Sequence, residues 1–98
     1  MTGYWILDDD KKPKRVPTVE EWGRFFETAN RIVKQETIGE VRVSTVFLGI
    51  DHQHGDGPPV LFETMIFGGS HDGYQERCST WQQAEDMHAK ACAMLRKN

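Results

Sequence analysis

The sequence predicts an α+β protein: an antiparallel sheet of three to four strands with two helices packed on one face, in the order β-α-β-β-β-α. Three observations predict it. Residues 40–49 (EVRVSTVFLG) and 60–67 (VLFETMIF) are rich in β-branched and aromatic residues. Two other segments, opening at Thr18 and at Ser79, repeat apolar residues at helical spacing behind a capping box. Finally, the strands fall between the two helical segments, a grouping that suits a two-layer sandwich with an antiparallel sheet.

The elements follow in order. Tyr4 to Leu7 is a short apolar, β-prone run that reads as an edge strand. Residues 8–17 (DDDKKPKRVP) carry two prolines and seven charges, and read as a charged, Pro-containing linker. Thr18-x-x-Glu21 caps a helix in which Val19, Trp22, Phe26, Ala29 and Val33 form a stripe widened by Phe25 and Ile32. That helix is expected to run to about Glu36, with Gly39 as its stop signal. The strands 40–49 and 60–67 make a hairpin with a long Gly/Pro loop. After the turn GGSHDG, YQERCS reads as a third strand. Ser79, with Gln82 three residues on, starts the last helix, striped by Trp81, Ala84, His88, Ala91 and Leu95 with Met87 and Met94 beside it. Lys90, Arg96 and Lys97 lie where the dipole favours cations.

Pairing Gly49 with Val60 sets the hairpin register. Phe47 then faces Phe62, Thr45 faces Thr64 and Val43 faces Ile66, all on one side, because strand side chains alternate. The other side takes Arg42, Ser44, Val46 and Leu48, with Leu61, Glu63, Met65 and Phe67. A one-sided sheet shows a polar outer face; this one is substantially apolar. The excess predicts a homo-oligomer interface or a ligand-lined groove, unless the N-terminal strand and linker fold across it. Arg42, Ser44 and Glu63, with Asp51 and His52 at the hairpin's edge, are the candidate ligand-binding residues.

The bulk numbers exclude several classes. The 98 residues fit one α+β domain. Twelve Lys+Arg against fifteen Asp+Glu give a formal net charge of −3. That is no footprint of a DNA-binding protein and argues against direct nucleic-acid binding. The basic run Lys11, Lys12, Lys14, Arg15 directly follows Asp8, Asp9 and Asp10, which cancel much of it. The two cysteines, Cys78 and Cys92, have no CxxC or framework spacing and read as free thiols of a reducing compartment. No stretch approaches the ~18 apolar residues of a membrane span, so the expectation is a cytoplasmic protein without a membrane partner.

The segment 49–59 (GIDHQHGDGPP) concentrates His52, His54, Asp51 and Asp56 in a polar loop, and His71 and Asp72 follow in the next turn. Zinc takes three or four such ligands at about 2.0–2.2 Å, so His52, His54, Asp56 and His71 are weak metal candidates, on which a small metal-dependent hydrolase would rest. The bland reading makes these residues turn formers, and the expected cofactor is none. The run matches the His-x-His-x-Asp part of a metallo-β-lactamase motif, but the final His and the remaining ligand positions are missing. Ser44, Ser70 and Ser79 lack a nucleophile-elbow context, so no catalytic residue is assigned. Glu63 is expected to pair with Arg42, to grip a ligand, or to act with His52 as an acid/base pair. His88 reads as a satisfied, partly buried histidine, and Trp5, Trp22 and Trp81 as core anchors. Neither Gly-rich turn has the Lys and following helix of a P-loop.

The strings VRVSTVFLGIDH, LFETMIFGG, RFFETANR and STWQQAEDMH together resemble a family of small phage- and prophage-encoded proteins of unassigned activity, across residues 4–94. Relatives keep an Asp-His after the first strand, which Asp51 and His52 match, whereas His54 and Asp56 are local additions. Where relatives carry an aromatic-Trp-Phe-Glu run, this chain has Arg24-Phe25-Phe26-Glu27, so a ligand role for that position does not carry over. The resemblance implies a non-catalytic binder in the host cytoplasm. Its finer form is a counter-defence protein that sequesters a small nucleotide-like signal at a subunit interface; the alternative is a protein–protein inhibitor of a host defence complex.

Overall fold

The computed structural model describes residues 3–53 and 55–96. It is an α+β protein with two antiparallel sheets and two helices. Strands β1 (Tyr4–Leu7) and β2 (Pro13–Val16) form a hairpin; α1 (Val19–Thr28) follows. Then come β3 (Ile32–Ile38), β4 (Val41–Phe47), β5 (Phe62–Phe67) and β6 (Gln75–Cys78), a meander in that spatial order, and finally α2 (Trp81–Arg96).

Three elements correct the sequence expectation. Residues 8–17 are not a linker throughout: residues 13–16 pair with β1, and Asp8 Oδ1 closes the turn by accepting from the N–H groups of Asp10 and Lys12. The first helix ends at Thr28 instead of near Glu36, and residues 32–38 are a strand. Ala29 leaves the helix in extended geometry, and Asn30 accepts from the Ile32 N–H in a short turn. Gly39 therefore stops no helix. With φ +63° it opens the two-residue β3–β4 turn, a conformation that costs glycine little. The last helix starts one residue later than expected. Thr80 Oγ1 accepts from the Gln83 N–H, and Gln83 Oε1 accepts from the Thr80 N–H, which is the reciprocal box.

The β4–β5 pairing puts Val43 opposite Ile66, Thr45 opposite Thr64 and Phe47 opposite Phe62, as the hairpin register predicts. All six are sealed, at 0% exposure. They lie under α2, whose Ala84, His88, Ala91 and Cys92 are also buried. The small alanines let the helix lie close to the sheet.

The second helix packs across the four-stranded sheet, while α1 packs against β1 and β2. An aromatic chain links these two parts: Tyr4, Trp22, Phe26, Phe25, Phe47, Phe62 and Trp81, each 4.5–6.2 Å from the next. At the junction, Gly49 O accepts from the Trp5 N–H (2.8 Å) and from Trp22 Nε1–H (3.1 Å). Gly49 has φ +79°, and a Cβ there would collide with the Phe26 ring. Leu61, expected on the outer face, is instead fully buried beside Phe47, Phe62 and Ala84, with Trp5, Leu7 and Phe25 packed around that cluster. No helix among the described residues is long and apolar enough to cross a membrane.

Candidate binding face and buried polar relay

The sheet alternation leaves one face of β3–β6 without a helix. Along it run Ile32, Gln35 and Thr37 from β3; Arg42, Ser44 and Val46 from β4; Glu63, Met65 and Phe67 from β5; and Gln75 and Arg77 from β6. The apolar members are incompletely covered, with Ile32 at 41% and Phe67 at 38% exposure.

Polar side chains on this face hold one another in place. The Arg42 guanidinium lies 4.8 Å over the Phe67 ring, its cross-strand neighbour. Gln35 Nε2 donates to Ser44 Oγ at 2.8 Å. Glu63 Oε2 accepts from Arg77 Nε at 2.9 Å and from Gln75 Nε2. The expected Glu63–Arg42 pair is not formed. Glu63 stands opposite Val46, four residues along β4 from Arg42, roughly 13 Å at strand rise. Nor does Glu63 engage His52; its described partners are Arg77 and Gln75. Arg42, Arg77 and Glu63 sum to +1 on this face (two cations less one anion), against −3 for the whole chain.

The other candidates lie beyond the ends of this face. Asp51 closes its own loop: Oδ1 accepts from the N–H groups of Gln53 (2.7 Å) and Val60 (2.9 Å). The His52 N–H donates to Val60 O. His71 sits in the turn after β5, while the 51–59 loop precedes β5. A six-residue strand separates them, roughly 20 Å at strand rise, which sets His71 beyond the opposite end of β5 from His52 and Asp56. His52, Asp56 and His71 form no ligand cluster among the described residues; His54 lies outside them.

Under α2 the sheet holds a second constellation, which reading the sequence missed. Thr64 and Thr45 hydroxyls meet at 2.5 Å, and Thr45 Oγ1 meets His88 Nδ1 at 2.7 Å. His88 Nε2 meets Glu36 Oε1 at 3.1 Å, and Arg96 donates to Glu36 Oε2 at 3.1 Å. Lys34 stands 3.4 Å from Oε1, and Cys92 Sγ 3.6 Å. Burial pushes the Glu36 carboxyl up, but His88, Arg96 and Lys34 together hold it down at about 2. Burial lowers His88, outweighing the carboxylate beside it, so the imidazole is neutral near pH 7.

Proton directions then follow. An ionised carboxylate only accepts, so Nε2 carries the ring proton, Nδ1 accepts from Thr45, and Thr45 accepts from Thr64. Thr45, His88 and Glu36 have the composition of a nucleophile–base–acid triad. Yet Thr45 is 0% exposed and His88 1%. With the hydroxyl sealed, no substrate reaches it, so the relay is structural. His88 is satisfied at both nitrogens, as expected, and is more deeply buried than expected. The lost signal was Glu36. Placed at a helix end it has no reason to meet His88, whereas in β3, opposite Val43, it points under α2.

No family model, curated protein or solved structure gives a significant match to this chain.

Proposed function

We propose that this protein is a non-catalytic binder whose working surface is the uncovered face of the four-stranded sheet. One observation carries the reading: Arg42 stacked on the half-exposed Phe67 ring, beside Met65 and Ser44, on a face of positive balance in an acidic chain. A guanidinium fixed on an aromatic ledge suits a ligand that is both planar and anionic, as a small nucleotide-like signal is. Both charged ends of the face already have their side chains oriented, which lowers the entropy lost on binding.

A flat sheet covers a ligand from one side only, whereas small-molecule sites are concave. A second copy laid over the face supplies the missing wall, which places the ligand at a subunit interface. Capture of a nucleotide-like signal in this way is the chemistry expected of a phage-type counter-defence protein.

Native mass spectrometry of the untagged protein, taken directly from the cell, tests the reading. The expected result is a multimer carrying a non-protein mass of a few hundred daltons, lost in Arg42→Glu. A bare monomer for the wild type contradicts it and favours a protein-binding inhibitor.

A further inference from the structure

We infer that Glu36, His88 and Cys92 form a binding site for a borderline divalent transition-metal cation of the zinc type. The site is separate from the sheet face discussed above. Their ligand atoms, a carboxylate oxygen, an imidazole nitrogen and a sulfur, all lie within 4.8 Å of one another. Two of the three separations are 3.1 Å (Nε2 to Oε1) and 3.6 Å (Sγ to Oε1). Ligands at about 2.0–2.3 Å from a shared tetrahedral zinc stand about this far apart.

Placement of the donors is built into the fold. His88 and Cys92 are four residues apart on α2, so they project from one helix face. Glu36 reaches them from β3. The mixture of N, O and S donors suits zinc or cobalt better than magnesium or calcium. The imidazole is oriented from behind by the Thr45–Thr64 pair, the kind of outer hydrogen bond that fixes a metal-ligating histidine. Arg96 grips Oε2 and leaves Oε1 facing the histidine and the thiol.

The proton balance closes. Without a cation, Nε2–H points at Glu36. With one, the ring stays neutral but carries its proton on Nδ1, freeing the Nε2 lone pair. Either threonine hydroxyl can donate to the other, so the pair reverses, and Thr45 accepts from Nδ1–H. The Cys92 thiol gives one proton to solvent. One proton is released per cation as the thiol becomes a ligand, so affinity rises about tenfold per pH unit. Lys34, 62% exposed, competes for Oε1 and swings aside on binding. The result is a clamp between β3 and the C-terminal half of α2.

The test is titration of the full chain with cobalt(II), read by thiolate-to-cobalt charge-transfer absorption and by thermal shift. The expected result is one cobalt per chain and a band kept in Cys78→Ser but absent in Cys92→Ser, with binding about tenfold tighter per pH unit. Lys34→Ala, a change at an exposed side chain, should tighten binding about two- to fivefold, and decides the matter if Cys92→Ser fails to fold. No band at millimolar cobalt in folded wild type overturns the site. So does a band that survives Cys92→Ser, binding without a thiolate band, or a Lys34→Ala variant that binds no tighter.

Discussion

The two faces of the β3–β6 sheet are built from the same strands, yet each solves a different problem. Beneath α2, Val43, Phe47, Phe62 and Ile66 make a sealed apolar layer, crossed by one hydrogen-bonded line from Thr64 to Glu36. Buried polar atoms are costly unless paired, and none of those described lacks a partner. On the opposite face, Ser44 is buried against Gln35, while Arg42, Glu63 and Arg77 are held in place nearer the solvent, with Phe67 and Ile32 left part-bare. The covered face therefore carries stability, and the uncovered face is available for a partner. Neighbouring residues on one strand should thus respond very differently to substitution.

The largest contrast is on β5. Phe62→Ala should lower unfolding free energy by about 4 kcal/mol, through lost burial and a cavity. Met65→Ala, on the uncovered face, should cost about 1 kcal/mol or less. Urea denaturation of both variants checks this, and equal losses would mean that the uncovered face is buried too.

Next comes the relay. His88→Ala should cost about 3 kcal/mol, because it opens a cavity and strands the Thr45 hydroxyl. Acid should sharpen the same contrast. The folded pKa of His88 lies below its ordinary 6.5, so the native state takes up that proton less readily than the unfolded chain. Its contribution is complete above pH 6.5 and is lost as pH falls through the lower folded value. Glu36, held at about 2 against an ordinary 4.5, loses its contribution between those values. Urea midpoints should therefore fall from pH 7.5 to 5.5 and again toward pH 3. His88→Gln should remove the upper part of that slope and keep the lower.

The smallest effects belong to the uncovered face. Arg77→Ala breaks the Glu63 pair but should cost under about 1 kcal/mol, since such partly exposed pairs contribute little. Arg42→Ala should change the melting temperature by no more than a degree or two. On the reading proposed above, it removes ligand capture all the same.

How much of this was legible before the structure varied by element. The hairpin register was, because Phe47/Phe62, Thr45/Thr64 and Val43/Ile66 make one side coherent only in that pairing. The α2 stripe was too, although Cys92, buried at 1% exposure, did not stand out from the sequence. The strand at 32–38 was hidden for two reasons. Ala29, Ile32 and Val33 continue the helical spacing of α1 by coincidence. The pairing also shifts between Ile32 and Lys34, so Val33 turns into the core and the strand's period of two is broken. β2 was hidden because Pro13–Val16 buries only Val16 and forms by pairing with β1. Losing β3 also lost Gln35 and Ile32 from the uncovered face and Glu36 from the relay.

The most direct test of the central claim is an amide chemical-shift map of the isotope-labelled protein titrated with a panel of nucleoside monophosphates and cyclic dinucleotides. The account predicts saturable shifts centred on Arg42–Val46, Glu63–Phe67 and Gln75–Arg77, abolished in Arg42→Glu while that variant's melt is unchanged. Shifts confined to the 51–59 loop or to α2, or none with any member of the panel, would contradict it.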